Sequence, residues 1–199
     1  NMKKGILILF FGIFILAIIL MSRTVSAANC GGAIQCNCGD TLNENQTMWY
    51  DLNNCSGKGL TIGTNNIFLD CNGHLIDGDN NAGNNDHGIY LYRVNGVIIK
   101  NCNVIEFYKG IYLSLSPNNT ILNSNLSENN HDFDVLAYED LECNNQLINV
   151  TGSNNKPIAY YNSSSIVSGQ ELSELILCNA DYSSFSNISI LASTSKDNN

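Results

Sequence analysis

The chain has 199 residues, of which 18 are acidic and nine are basic, and it carries a formal net charge of −9. A surface of that sign repels nucleic acid and anionic lipid, which excludes both as expected partners. With only two prolines and 14% charged residues, the composition is typical of a folded domain and excludes general disorder.

The start of the chain follows the pattern of an export signal. Lys3 and Lys4 precede an apolar run over residues 6–20, and small residues suited to cleavage occupy positions 25–28. The run is shorter than the roughly 20 residues that span a bilayer, so residues 1–28 are predicted to be a cleaved signal helix rather than an uncleaved membrane anchor. Cleavage leaves six basic and 18 acidic residues, a net charge of −12. Only an uncleaved leader would contact the membrane.

All eight cysteines follow the leader, and an even number in an exported chain favours disulfides over zinc binding or catalysis. Four of them fall in residues 29–58, which we expect to form a Cys-rich N-terminal cap. Cys71 and Cys102 follow matching strands, so a disulfide and two separate buried thiols both remain open for them. Cys143 and Cys178 invite the same pairing. The full set of candidates is Cys30, Cys36, Cys38, Cys55, Cys71, Cys102, Cys143 and Cys178.

A segment of about 22 residues repeats along the chain after the leader. The sequence Gly-Ile-Tyr-Leu at residues 88–91 recurs at residues 110–113 and, in degraded form, at residues 132–135. Apolar residues alternate within each repeat, which predicts short strands, and no helical spacing follows the leader. A fixed period makes equivalent residues neighbours in parallel strands about 4.8 Å apart. We therefore predict an all-β parallel β-helix, a solenoid, over residues 59–199.

The same period predicts the core and the corners. Asn tolerates the left-handed backbone of a tight corner, and Asn101 and Asn123, one period apart, are expected to bond to each other. After Lys156 the period breaks, and no polar segment closes the last coil, so we expect a C-terminal truncation. Inward columns are expected from Ile67, Leu69, Ile89, Leu91, Val97, Ile99, Val104, Ile111, Leu113, Ile121, Leu126, Phe133 and Val135.

Several segments resemble one known group of proteins. They are Cys-Gly-Asp-Thr at 38–41, Asn-Cys-Ser-Gly at 54–57, Gly-Leu-Thr-Ile at 59–62, Leu-Asp-Cys-Asn-Gly-His at 69–74 and the repeat at 110–113. Together they resemble secreted right-handed parallel β-helix repeat proteins of the NosD-like, or carbohydrate-binding and sugar-hydrolase (CASH), group. Residues 156–162 and 177–181 resemble archaeal members. The resemblance covers about residues 36–192 and implies the fold, whereas members of the group include adhesins, surface-layer components and sugar-active enzymes.

The sequence assigns no catalytic residue. Cleavage of an acidic polysaccharide by elimination needs a base and several cations, but Arg93 is the only arginine after the leader. A glycoside hydrolase needs two or three converging carboxylates. The candidates for such a role are scattered along the chain: Asp70, Asp77, Asp79, Asp86, Glu106, Glu128, Asp132 and Asp134.

Two groups of residues are candidates for ligand binding. Asp77, Asp79 and Asp86 offer hard oxygen ligands to calcium, but their spacing matches no calcium loop, so a solvated loop is favoured and calcium binding is the alternative. Copper would require grouped His, Met or Cys ligands. Tyr90, Tyr92 and Tyr112 are expected to point outward; stabilisation of the sheet by aromatic stacking is favoured for them, and stacking on sugar rings is the alternative.

These observations favour an exported, non-enzymatic module of a secreted or cell-surface protein, which provides a rigid scaffold or a face that binds carbohydrate or a protein partner. One alternative is a fragment of a sugar-active enzyme. A second is a calcium- or copper-binding exported protein. Calcium is the only cofactor that the sequence suggests.

Overall fold

The computed structural model describes residues 28–81 and 83–191, so the predicted leader lies outside the described residues apart from Ala28. The described chain is all-β, with 3-10 turns only at Asp140–Cys143 and Ser153–Asn155. None of the helical segments in these residues has the length and hydropathy of a membrane span. The strands are β1 (Asn29–Cys30), β2 (Asp40–Leu42), β3 (Gln46–Thr47), β4 (Leu52–Cys55), β5 (Leu60–Ile62), β6 (Phe68–Asp70), β7 (Leu75–Gly78), β8 (His87–Tyr92), β9 (Ile98–Lys100), β10 (Asn103–Ile105), β11 (Lys109–Ser114), β12 (Thr120–Ser127), β13 (His131–Leu136), β14 (Gln146–Thr151), β15 (Ile158–Tyr161), β16 (Ile166–Ser168), β17 (Glu171–Leu172), β18 (Glu174–Leu177), β19 (Ser184–Ser186) and β20 (Ser189–Ile190).

The first sheet contains six parallel strands in the order β1-β2-β5-β8-β11-β13. Ile89 of β8 pairs with Ile111 of β11, and Ile111 pairs with Phe133 of β13. Both steps equal the period of the repeat in the sequence, so that repeat sets the register of the parallel strands. The predicted parallel sheet is confirmed.

The second sheet follows the order β3-β6-β9-β12-β10-β7-β4, and β14 also pairs with β12. Strand β12 is eight residues long; its first residues pair with β9 and its last residues pair with β10. Because β9 and β10 are consecutive in the chain, β12 joins two rows of strands into one sheet. The chain passes through both rows before it returns to the first sheet.

The apolar core is formed by the inward side chains of both sheets. Eleven of the thirteen predicted core residues are buried, and Ile67 and Val135 are partly buried against the same cluster. Ile89, Ile111 and Leu113 have no exposed surface at all. Each such side chain contributes about 1.5–3 kcal/mol relative to its exposed state, so these columns stabilise the fold. The predicted inward columns are confirmed.

Gly59, Gly88 and Gly110 occupy equivalent places in successive repeats, just before the inward isoleucine or leucine. A Cβ atom on Gly88 would lie 2.5 Å from the carbonyl oxygen of Gly110, and one on Gly110 would lie 2.5 Å from that of Asp132. These distances leave no space for a side chain. The glycine of the repeated motif is therefore required by the close approach of neighbouring backbones.

Asparagines form corners of the chain, as predicted. Asn101, Asn123 and Asn149 have φ values of 55°, 49° and 53°, in the left-handed region. The expected bond between Asn101 and Asn123 is replaced by bonds to other neighbours. Asn101 donates to Asp70 Oδ1 at 2.9 Å, and Asn149 donates to Asn123 Oδ1 at 3.0 Å.

Two disulfides, Cys30–Cys36 and Cys38–Cys55, close the N-terminal segment. Its strands β1 to β4 pair in the same sheets as the later strands, so the expected cap continues the sheets without a break. Leu52 is buried in the core, but Trp49 is 68% exposed. Of these two apolar side chains of the predicted cap, only Leu52 therefore packs into the core.

The other disulfides join segments that are farther apart in the sequence. Cys71 and Cys102 are bonded, with Cα atoms 4.8 Å apart, and they follow the paired strands β6 and β9. Cys71 directly follows β6, whereas Asn101, which has a left-handed backbone at φ 55°, separates Cys102 from β9. Cys143 and Cys178 are also bonded, with Cα atoms 5.4 Å apart, so no described cysteine is free.

The last strands form three small parallel pairs, β15 with β18, β16 with β19 and β17 with β20. Ile158 pairs with Glu174, and Ile166 pairs with Ser184. Both steps are shorter than the step from Ile89 to Ile111 in the first sheet. Leu177 is 50% exposed, so β18 is only partly buried.

Candidate functional site

The outward side of β8 and β11 is the most distinctive surface of the first sheet. We define the tyrosine face by the residues that make it: Lys58, His87, Tyr90, Tyr92, Arg93, Lys109 and Tyr112. Tyr90 pairs with Tyr112 across the two strands, and both alternate along the strands with buried residues. This alternation places them outward, because successive side chains of a strand point to opposite faces.

The three tyrosine rings are arranged as a stack. The Tyr90 and Tyr112 centroids are 5.5 Å apart with ring planes inclined by 19°, and those of Tyr90 and Tyr92 are 6.2 Å apart at 16°. Tyr92 is 45% exposed, whereas Tyr90 and Tyr112 are partly buried. Burial raises the pKa of the Tyr90 hydroxyl, and a hydrogen bond with Ser114 acts in the opposite direction. The Tyr90 hydroxyl thus remains neutral at ordinary pH and keeps its proton for donation.

Three cations lie on these rings. The Lys58 ammonium is 4.6 Å from the centroid of Tyr90, and the Lys109 ammonium is 3.6 Å from that of Tyr112. The Arg93 guanidinium lies 5.1 Å from the centroid of Tyr92. Such contacts contribute about 0.5–1 kcal/mol each at exposed sites.

His87 lies beneath the tyrosines and is only 4% exposed. Its ring centroid is 5.2 Å from that of Tyr90 and 5.0 Å from that of Tyr112. Burial lowers the pKa of His87 to about 4, and the positive charges of Lys109 and Lys58 act in the same direction. His87 is therefore neutral, and its buried ring packs against the rings of Tyr90 and Tyr112. No pattern in the sequence indicates this role, because His87 borders a polar loop there.

The stacked arrangement changes what the tyrosines can bind. The ring of Tyr112 contacts Tyr90, His87 and Lys109, so its surface is largely covered by the protein itself. Tyr92 has the most exposed ring of the three. The face thus offers one accessible ring, the phenolic groups of three tyrosines and two cations, Lys58 and Arg93, since Lys109 is paired with Asp134. A ligand with hydroxyl and anionic groups matches that set of donors better than a flat apolar ring does.

The predicted calcium ligands lie around the loop between β7 and β8. Asp77 is within β7, Asp79 accepts a hydrogen bond from the Asn81 N–H at 3.0 Å, and Asp86 is buried next to β8. Over residues 28–81 and 83–191, no three His, Cys, Asp or Glu side chains gather into a group that could hold a metal. The structure does not bring these three aspartates together. Calcium and copper binding remain predictions.

Three of the carboxylates that the sequence offered for catalysis have structural contacts. Asp70 forms an ion pair with Lys100 at 2.9 Å. Asp132 is fully buried and accepts a hydrogen bond from the Ser153 N–H at 2.9 Å. Asp134 pairs with Lys109 at 2.6 Å. Asp70 and Asp134 are therefore ion-pair partners of lysines. Asp132 is a hydrogen-bond acceptor that holds a corner of the chain.

A cleft of about 630 Å³ lies between β13 and β18. Glu174 lies in it, and its Oε2 accepts a hydrogen bond from the Phe133 N–H at 2.9 Å. Burial raises the pKa of Glu174 to about 8; the Phe133 N–H lowers it, and the negative charges of Asp132 and Asp134 raise it further. Sequence reasoning missed Glu174, since no repeat links it to β13. The cleft lining includes His131, Phe133, Asp134, Glu174, Ile176 and Ile190.

Comparisons of this chain with protein-family models, with curated proteins and with solved structures found no match. Two sites of the described residues, the tyrosine face and the cleft at Glu174, therefore point to the function. The four disulfides add that the chain is suited to an oxidising compartment.

Proposed function

We propose that the chain is a right-handed parallel β-helix module of the NosD-like kind, secreted or displayed at the cell surface, and that its tyrosine face binds carbohydrate without catalysis. The parallel pairing of β8, β11 and β13 at the period of the sequence repeat supports the solenoid. The disulfides support export, because such bonds persist in oxidising compartments. The expected protein partner of a cell-surface module remains a proposal of the same kind.

One observation carries the binding proposal: tyrosines, hydroxyls and cations are concentrated on a single outward face of a rigid sheet. Tyr90, Tyr92 and Tyr112 lie on two neighbouring strands that are fixed by pairing on both sides. A site on paired strands is held in position before a ligand arrives, which lowers the entropic cost of binding. Sugar recognition by such a site needs only one exposed ring and a set of polar groups, and Tyr92 supplies the ring.

The test is binding of the full-length protein to a panel of immobilised oligosaccharides. Tyr92→Ala should reduce binding at least 10-fold, because it removes the exposed ring, whereas Tyr182→Ala should leave binding unchanged. Tyr182 is the matched control, since it is 99% exposed and lies far along the chain from the tyrosine face. Absence of binding to every sugar of the panel, or equal loss in both variants, would contradict the proposal.

A second candidate function is sugar cleavage in the cleft at Glu174. A carboxyl group that keeps its proton at neutral pH is what a general acid requires, and the Asp134 carboxylate, which pairs with Lys109, borders the same cleft. This candidate predicts release of reducing ends from a polysaccharide by the wild-type protein and no release by Glu174→Gln. Cleavage by neither protein would leave the non-enzymatic proposal as the better one.

A further inference from the structure

The tyrosine face collects positive charge on a protein that is otherwise negative. Six basic residues follow the predicted leader, against 18 acidic ones. Three of these six, Lys58, Arg93 and Lys109, lie on the rings of the tyrosine face. Neighbouring segments of the first sheet each supply one: Lys58 precedes β5, Arg93 follows β8 and Lys109 begins β11. Lys58 and Lys109 lie on either side of the first residue of β8, and Arg93 follows its last residue, so the three cations border the stacked rings from both ends of that strand.

Two of these cations have no carboxylate partner among the described residues. Lys100 pairs with Asp70, Lys156 pairs with Glu171 and Lys109 pairs with Asp134. No ion pair within residues 28–81 and 83–191 includes Lys58 or Arg93. In a chain with three times as many acids as bases after the leader, basic residues without an acidic partner are unexpected. Their charges are available to a ligand.

The polar groups beside them suit an anion. The stacked rings of Tyr90, Tyr92 and Tyr112 each carry a phenolic hydroxyl, and each ring lies against one of the cations. A carboxylate or sulfate accepts hydrogen bonds from hydroxyl, ammonium and guanidinium groups, and charged hydrogen bonds of this kind are roughly twice as strong as neutral ones. A neutral sugar would use the hydroxyls and leave Lys58 and Arg93 without a partner.

We infer that the tyrosine face binds acidic carbohydrate, a sugar chain that carries carboxylate or sulfate groups, in preference to neutral carbohydrate. This inference rests on the proposed function, of which it specifies the ligand class. The net negative charge of the protein does not prevent such binding. At ordinary salt, exposed charges more than about 10 Å apart are largely screened, so the groups on the face itself decide the interaction.

The experiment compares acidic carbohydrates with neutral carbohydrates of similar length. Calorimetry measures the binding of the full-length protein to two pairs of probes. One pair is dextran sulfate with dextran, and the other is an oligogalacturonate with a neutral maltooligosaccharide of equal length. The two acidic probes distinguish sulfate from carboxylate as the recognised group. We expect the acidic probes to bind at least 10-fold more tightly than their neutral counterparts. Raising the NaCl concentration from about 0.05 M to about 0.5 M should weaken that binding, because salt screens the contacts.

Matched variants locate the contact. Lys58→Gln and Arg93→Gln should each weaken binding of the acidic probe at least 5-fold, and Arg93→Lys should restore part of the loss. Lys100→Gln and Lys156→Gln are the controls, because they remove the same charge from residues that pair with a carboxylate elsewhere. Circular dichroism of every variant shows whether the sheet is intact, so that a folding defect is not read as a binding defect.

The outcomes separate this inference from the function on which it rests. Binding of neutral and acidic probes with equal affinity would overturn the inference and leave carbohydrate binding in place. Binding of no probe would overturn both. If the Lys58, Lys100 and Lys156 variants all lose affinity for the acidic probe to the same extent, the protein attracts the probe through its general charge rather than through a site on the tyrosine face. That result would also overturn the inference.

Discussion

At the scale of single residues, the repeated glycine is the clearest link between sequence and structure. Gly88 lies where its backbone approaches that of the next repeat, and its hydrogen points at the carbonyl oxygen of Gly110. Contacts under 3.0 Å between a Cβ atom and a backbone atom are not tolerated, so a larger residue must displace a strand. The rest of the repeat can vary, as the degraded copy at residues 132–135 shows.

Gly88→Ala is therefore predicted to destabilise the protein. The added methyl would meet the Gly110 oxygen at 2.5 Å and would also collide with the Val104 side chain. A loss of about 1–3 kcal/mol in the free energy of unfolding is expected, as for other overpacked sites. Gly83→Ala is the control, because a Cβ atom at Gly83 meets nothing within 4 Å. Urea denaturation measures both, and equal midpoints for the two variants would contradict this account of the glycine column.

At the scale of strands, the sequence predicts strand pairing only in the part of the chain where the 22-residue repeat is visible. The columns through Ile89, Ile111 and Phe133 follow from a spacing that is visible in the residues themselves. After Lys156 the pairing steps become shorter and unequal, so no pattern carried over from the earlier repeats could predict β15 to β20. The sequence repeat also could not predict contacts between residues that it does not relate. Glu174 and its partner Phe133 are far apart in the sequence, and only the folded chain brings them together.

The bond between Glu174 and Phe133 joins β18 to β13, the last strand of the first sheet, and it predicts a pH dependence of stability. The pKa of Glu174 is about 8 when folded and 4.5 ordinarily. Between these values the folded chain keeps a proton that the unfolded chain releases. The stabilisation contributed by protonated Glu174 should therefore be fully present below pH 4.5. As the pH rises from there towards the folded pKa, the free energy of unfolding should fall by up to about 1.4 kcal/mol for each pH unit.

Glu174→Gln should remove that dependence. His87 acts in the opposite direction, since its lowered pKa makes stability fall as pH drops from 6.5 towards about 4. Its effect ends above its ordinary pKa, so the range above 6.5 isolates Glu174. Urea midpoints of both proteins across that range provide the measurement. The wild-type midpoint should fall relative to that of the variant, and parallel curves would show that Glu174 is already ionised in the folded chain.

At the scale of the whole molecule, the first sheet is a continuous series of parallel pairs from β1 to β13. Each inner strand is held by neighbours on both sides, and each column of side chains passes through several strands. Damage in one inner strand should therefore spread to its neighbours along the series. The same continuity holds the tyrosine face rigid, because that face is the outer side of β8 and β11, two inner strands of the series.

Ile111→Asp tests this continuity. Ile111 is fully buried between Ile89 and Phe133, so the substitution removes about 1.5–3 kcal/mol of apolar burial and places a carboxylate without a partner in the core. Amide hydrogen exchange should lose protection in β8, β11 and β13 together, and the affinity for any ligand of the tyrosine face should fall with it. Ile98→Asp is the matched control, since Ile98 lies in β9 and is 43% exposed. Loss of protection in β11 alone would show that the strands open independently, and the face would then be a local surface rather than a product of the whole series.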